Sequence, residues 1–225
     1  MTATVKLLVV LSAVVGLLYP LLRAFMLSPE AMIAAKGAGV GLLALAAVLR
    51  ARTADGWLLA SLLALGAAGD MLLEVRFAAG AAAFAAGHVC AIALYLRNHR
   101  TTGQARLAAA ALIVSVAAAV PGLLLHGRPE ALPFILYGLL LGGMTATAWL
   151  SRFPFFVPLG AAMFLASDML IAARIGMRLT YGWLGLAIWL LYYAGQVMIF
   201  AGVTSALPPR ERSSGGGEPA KLVEG

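Results

Sequence analysis

Eight apolar stretches, each long enough to cross a lipid bilayer, limit what this sequence can fold into. A transmembrane helix needs about 20 mainly apolar residues. The predicted spans cover residues 4–22, 31–49, 56–73, 77–96, 107–125, 132–149, 155–174 and 184–206. The stretches do not alternate between apolar and polar residues, which argues against a transmembrane β-barrel. We therefore predict an all-α polytopic membrane protein with eight transmembrane helices, forming one domain over residues 1–207.

The composition supports this class. The 225 residues are 63% hydrophobic and only 11% charged, whereas a soluble domain carries about 25% charged residues. The last residues, 208–225, are rich in Pro, Gly, Ser and charge, and a disordered C-terminal tail is expected there.

Basic residues predict how the chain is oriented. The net charge is +7, but the basic residues lie in short breaks between spans, which is typical of topology signals and contacts with membrane lipids, not of nucleic-acid binding. With the N-terminus inside, ten basic residues lie inside and six outside. We expect both termini in the cytoplasm and the protein in the inner membrane of a bacterial-type cell.

Two aspartates lie inside apolar spans in similar contexts. Asp70 follows Gly69 in the third span, and Asp168 follows Ser167 in the seventh. A carboxylate within a bilayer is costly and is rarely kept without a function. The pair predicts one polar site built by two parts of the protein.

Short matching motifs predict an internal duplication. The triplet Ala86-Gly87-His88 lies in the fourth span and Ala194-Gly195-Gln196 in the eighth, each in the span after an aspartate. Residues about 1–103 and 104–207 are therefore predicted to be pseudo-repeats of four helices each. Because each has an even number of spans, their pseudo-twofold axis should lie along the membrane normal.

The polar residues of the spans are expected to converge. At about 1.5 Å rise per residue, they fall within one slab of roughly 10–15 Å, and a central water-filled pocket that opens outward is predicted. Simpler roles stay open for the supporting residues: an interhelical hydrogen bond, an ion pair, packing, or a lysine that extends to the interface. The candidate catalytic residues are Asp70 and Asp168, and the candidate supporting residues are Lys36, Glu74, His88, Tyr193 and Gln196.

Other chemistries lack a sequence signature. We find no metal-ligand spacing of histidines, no phosphate-binding loop, no dinucleotide fingerprint and no serine-nucleophile elbow. We therefore predict no metal and no cofactor.

The order of these motifs along eight short spans resembles the YhhN family, whose animal members are lysoplasmalogenases. The resemblance covers most of the eight helices. One difference is that the family usually has Lys-Pro where this chain has Lys36-Gly37. The resemblance rests on Lys36, Gly69-Asp70, Gly87-His88, Ser167-Asp168 and Tyr193-Ala194-Gly195-Gln196.

The resemblance implies hydrolysis of the vinyl-ether bond of lysoplasmalogens, alkenyl-glycerophosphocholine or alkenyl-glycerophosphoethanolamine, to a fatty aldehyde and a glycerophospho-head group. Such a reaction needs a proton donor at the alkene and an anion near the developing oxocarbenium ion. Two carboxyl groups in a low-dielectric pocket suit both tasks. The resemblance does not decide which aspartate is the acid.

Two other functions remain open from the residues. A small proton-coupled transporter also uses duplicated halves and intramembrane ionisable residues, but it often has broken helices at its site. A non-catalytic lipid-binding protein would tolerate asparagine at both aspartate positions.

Overall fold

Eight α-helices account for nearly all of the described chain. The computed structural model describes residues 2–22 and 28–207, and every helix in these ranges is long and apolar enough to span a membrane. This confirms the predicted fold class. The predicted disordered tail, 208–225, lies outside the described residues. The helices are α1 (Ala3–Leu22), α2 (Pro29–Arg50), α3 (Ala54–Val75), α4 (Phe77–Arg97), α5 (Gln104–Leu124), α6 (Ala131–Leu150), α7 (Phe156–Gly176) and α8 (Gly182–Ala206).

Local sequence signals set several helix ends. At the start of α2, the Ser28 hydroxyl accepts a hydrogen bond from the Ala31 amide at 3.3 Å, and Pro29 occupies the first helical turn. At the start of α3, the Thr53 hydroxyl accepts from the Gly56 amide at 3.2 Å. Such side-chain caps satisfy amides that have no partner within the helix. Between α3 and α4, Arg76 alone is extended, so the two helices meet in a very short turn.

Most helices that are adjacent in sequence pack against each other. The closest pairs are α2 with α3, α3 with α4, α5 with α6, and α7 with α8, while α4 with α6 and α2 with α8 join the two halves of the chain. Large apolar side chains of α1, such as Leu7, Val10 and Leu17, remain exposed on the outer surface, as expected where a helix faces lipid.

Glycines allow two helix pairs to approach closely. A Cβ atom at Gly195 of α8 would lie 2.6 Å from the carbonyl oxygen of Gly160 on α7, and a Cβ at Gly160 would lie equally close to the carbonyl of Gly195. Similarly, a Cβ at Gly87 of α4 would lie 3.3 Å from the Leu62 carbonyl on α3. Small residues at such contacts are characteristic of membrane helix packing. Both Ala-Gly-polar triplets therefore pack against an aspartate-bearing helix, while the duplication itself stays a prediction.

Replacing Gly195 with alanine should lower the thermal unfolding midpoint in detergent, because the added methyl group overlaps the α7 backbone and overpacking costs roughly 1–3 kcal/mol. Gly185→Ala on the same helix is the matched control, since no atom lies within 4 Å of its Cβ position. There the midpoint should stay or rise, because alanine favours helix over glycine. Equal midpoints for the two variants would contradict the close contact of α7 and α8.

Candidate active site

A cavity of about 710 Å³ lies within the helix bundle, and all eight helices contribute to its lining. Its volume is in the range of pockets that hold drug-sized ligands. Much of the wall is aromatic, including Tyr19, Phe77, Phe134 and Trp189. The charged or ionisable acidic and basic side chains that line it are Lys36, Asp70, Glu74, Asp168 and Arg174. The structure thus brings both candidate catalytic aspartates to one cavity.

Asp70 lies deep in this cavity. Its residue surface is only 2% exposed, and its Oδ2 atom accepts a 2.7 Å hydrogen bond from the Tyr192 hydroxyl of α8. The Tyr192 ring packs edge-to-face against Phe84 and Phe164, with centroids 5.7 and 5.1 Å away. This aromatic packing holds the tyrosine in position to donate.

Asp168 has an equivalent tyrosine partner from a different helix. The Tyr137 hydroxyl of α6 donates a 2.9 Å hydrogen bond to Oδ2 of Asp168, and His88 Nε2 lies 3.1 Å from the same hydroxyl. Because a tyrosine has one hydroxyl proton, donation to Asp168 leaves its oxygen to accept from His88. That arrangement requires the His88 tautomer with hydrogen on Nε2, and it leaves Nδ1 as an acceptor.

Lys36 pairs with Glu74 at 2.5 Å, not with either catalytic candidate. Glu74 lies one helical turn after Asp70 on α3, so the ion pair lies along the cavity wall on the C-terminal side of that aspartate. The side chains of Lys36 and Glu74 are 15% and 34% exposed. Although Gly37 replaces the proline usual in the family, α2 is continuous through this position.

His88 and Gln196 line a second, much smaller cavity of about 20 Å³. This volume suffices for about one water molecule. Gln196 Oε1 is buried and has no hydrogen-bond partner among the described residues. Phe84 and Phe164 line both cavities and separate them. His88 therefore connects the small cavity to Asp168 through the hydroxyl of Tyr137.

Tyr193, another candidate from the sequence, does not line either cavity. Its hydroxyl lies 2.7 Å from the Ser12 hydroxyl, which donates a 2.6 Å hydrogen bond to the Gly39 carbonyl. Since Ser12 uses its proton on Gly39, Tyr193 is the donor to Ser12. Tyr193 thus ties α8 to α1 and α2.

Tyr137, Tyr192 and Arg174 also line the cavity, but they are not among the candidate residues predicted from the sequence. The available signal for Tyr192 was its spacing of four residues before Gln196, which places both on one face of α8. Tyr137 has no comparable signal in the sequence, because its hydroxyl is an isolated polar group in an apolar stretch.

Substituting Tyr193 with phenylalanine should lower the thermal unfolding midpoint, because it removes a buried hydrogen bond worth about 1 kcal/mol. The same substitution at Tyr95 is the control, since the Tyr95 hydroxyl is buried with no hydrogen-bond partner among the described residues. Tyr95→Phe should leave the midpoint unchanged or raise it. A lower midpoint in Tyr95→Phe than in Tyr193→Phe would contradict these assignments.

Comparison with known proteins identifies the family of this chain. Two curated relatives, from Mycobacterium bovis and Mycobacterium tuberculosis, are named lysoplasmalogenase, and each is 36% identical to this chain over 160 residues. The aligned region is 65% of this chain but only 59% of each relative, so the chain spans less than two thirds of their length. No solved structure shows a significant match. The YhhN family profile matches residues 31–203, which contain every predicted site residue, and the chain belongs to the YhhN family.

Proposed function

We propose that the protein is a membrane-embedded hydrolase that cleaves the vinyl-ether bond of lysoplasmalogens, releasing a fatty aldehyde and a glycerophospho-head group. The relatives named lysoplasmalogenase support this activity. The observation that carries the proposal is that Asp70 of α3 and Asp168 of α7 line the same cavity, each with its own tyrosine donor.

The cavity has the character that a single-chain lipid requires. Aromatic and aliphatic side chains form most of its wall, including Phe77, Phe134 and Leu186, while ionisable groups are confined to a few positions. An alkenyl chain would lie against the apolar wall, and the polar head group would lie near Lys36, Glu74 and Arg174. The substrate would enter from the membrane that surrounds the helices.

The two aspartates supply the proton transfers of the reaction. One carboxyl group donates its proton to the alkene carbon distal to oxygen, and the alkene π electrons form that C–H bond. The resulting oxocarbenium ion is stabilised by the other carboxylate, which takes a proton from the attacking water as the new C–O bond forms. The hemiacetal then collapses: the first carboxyl group, now ionised, takes the proton of its hydroxyl, the bond to the glycerol oxygen breaks, and that oxygen takes the proton that the second carboxyl group gained from water. Both carboxyl groups thereby return to their starting protonation states. Aldehyde and glycerophospho-head group leave.

Burial distinguishes the two roles. An ionised carboxylate costs more free energy where it is more completely removed from solvent. Asp70 is buried, whereas Asp168 is partly exposed and linked through Tyr137 to His88. We assign Asp70 as the proton donor and Asp168 as the carboxylate that stabilises the cation and activates water. The comparison with glycosidases, which also place two carboxyls at an oxocarbenium ion, is an analogy of chemistry only.

A transporter fits this structure less well. Transporter sites near the bilayer midplane typically use discontinuous helices, but α3 and α7 run without interruption past both aspartates. Unbroken helices hold side chains in fixed positions, which favours catalysis over alternating access.

Asp70→Asn and Asp168→Asn should each reduce aldehyde release from a lysoplasmalogen by at least about 100-fold, because asparagine neither donates nor accepts the proton that the reaction moves. The measurement is aldehyde production by purified protein in detergent. Asp55→Asn is the matched control, because Asp55 lies at the other end of α3 and pairs with Arg97 outside the cavity.

Asp55→Asn should retain most of the wild-type rate. Full activity in Asp70→Asn or Asp168→Asn would remove that aspartate from the mechanism. A folded wild-type protein that releases no aldehyde would contradict the proposed reaction.

Tyr192→Phe should lower turnover by about tenfold or more, because it removes a hydrogen bond to a reacting carboxyl group. Tyr193→Phe deletes the neighbouring hydroxyl and provides a comparison within the same helix. Assayed well below the unfolding midpoint of both variants, the larger loss of turnover is expected in Tyr192→Phe. A larger loss in Tyr193→Phe would contradict the proposed role of Tyr192.

A further inference from the structure

Arg174 is a cavity-lining cation that takes no part in the proton transfers of the proposed reaction. It lies in the last turn of α7, six residues after Asp168, and its side chain is exposed. A basic residue in the last turn of a helix is stabilised by the helix dipole, whatever other role it has. Its position in the cavity wall calls for a second explanation.

The cation is available to bind an anion. Lys36, the other basic residue of the lining, is already paired with Glu74. Within residues 2–22 and 28–207, the Arg174 guanidinium forms no ion pair and no side-chain hydrogen bond. Arginine is well suited to phosphate, because its planar group can donate two parallel hydrogen bonds to two phosphate oxygens.

The spacing between Asp168 and Arg174 matches the length of a lysoplasmalogen head region. Six residues along an α-helix correspond to about 9 Å. In the lipid, six covalent bonds join the carbon that water attacks beside Asp168 to the phosphorus atom. With bonds of about 1.5 Å in an extended zigzag, this path is roughly 7–8 Å long. A vinyl ether at the aspartates would therefore place its phosphate near Arg174.

We propose that Arg174 binds the phosphate of a single-chain phospholipid and so selects phospholipids over uncharged single-chain lipids. The inference rests on the proposed function for the orientation of the lipid, with its reactive end at the aspartates. The same guanidinium chemistry would also bind the phosphate of a bilayer phospholipid at the membrane surface. A single-chain phospholipid would place its chain in the cavity, whereas a bilayer phospholipid would keep its chains in the surrounding membrane.

The test measures equilibrium binding of radiolabelled 1-palmitoyl-lysophosphatidylcholine and 1-palmitoylglycerol to the full-length protein in a phosphate-free maltoside detergent. These lipids share one acyl chain and differ in the phosphocholine group. The variants are Arg174→Gln and, as a control, Arg178→Gln. Arg178 is an exposed arginine four residues further along the chain, just beyond the end of α7, and it does not line the cavity.

Arg174→Gln should weaken binding of the lysophospholipid by about 10- to 100-fold, the loss of a charge-assisted hydrogen-bond pair, and change palmitoylglycerol binding by less than about twofold. Arg178→Gln should change neither. Competition by excess lysophosphatidylcholine but not by bilayer phospholipid in bicelles would assign the phosphate to a lipid within the cavity.

The proposal is overturned if Arg174→Gln weakens both lipids equally, weakens neither, or behaves as Arg178→Gln does. It is also overturned if bilayer phospholipid competes as well as the lysophospholipid. Neither test lipid contains a vinyl ether, so the outcome does not depend on catalysis. If the wild-type protein releases no aldehyde but Arg174→Gln selectively loses lysophospholipid, the reaction is wrong and the phosphate site stands.

Discussion

The structure depends on accommodating two carboxyl groups inside an apolar helix bundle. Each of Asp70 and Asp168 accepts a hydrogen bond from a tyrosine and borders a cavity that admits polar groups. These requirements fix how the helices meet: α8 must present Tyr192 to α3, and α6 must present Tyr137 to α7. An unpaired buried charge is costly. The packing of these four helices must therefore also supply the hydrogen-bond donors of the two carboxyl groups in the cavity.

The sequence was most informative where charge interrupts apolar stretches. The eight spans stand out by their apolar composition. The two aspartates, Lys36 and Glu74 stand out because an ionisable side chain is costly within a bilayer. Tyr137 and Tyr192 were missed because tyrosine is common both in packing and at membrane interfaces. Their role depends on the rotation of α6 and α8 about their axes, which packing decides and hydropathy does not report.

The two aspartate sites have related but unequal surroundings. Asp70 receives its tyrosine from the other half of the chain, while Asp168 receives its tyrosine from its own half and is linked further to His88. Two identical carboxyl environments would have the same tendency to hold a proton. A reaction that needs one donor and one acceptor is served better by unequal ones, so the unequal surroundings of Asp70 and Asp168 favour the proposed chemistry.

All eight described helices border the central cavity, so the order in which they insert into the membrane matters for its assembly. Among them, α8 with Tyr192 follows the other seven along the chain, and until α8 inserts the wall of the cavity is incomplete. A nascent chain with only the first seven helices in place lacks the donor to Asp70. The closed cavity, with a tyrosine donor for each aspartate, therefore forms only after α8 has inserted.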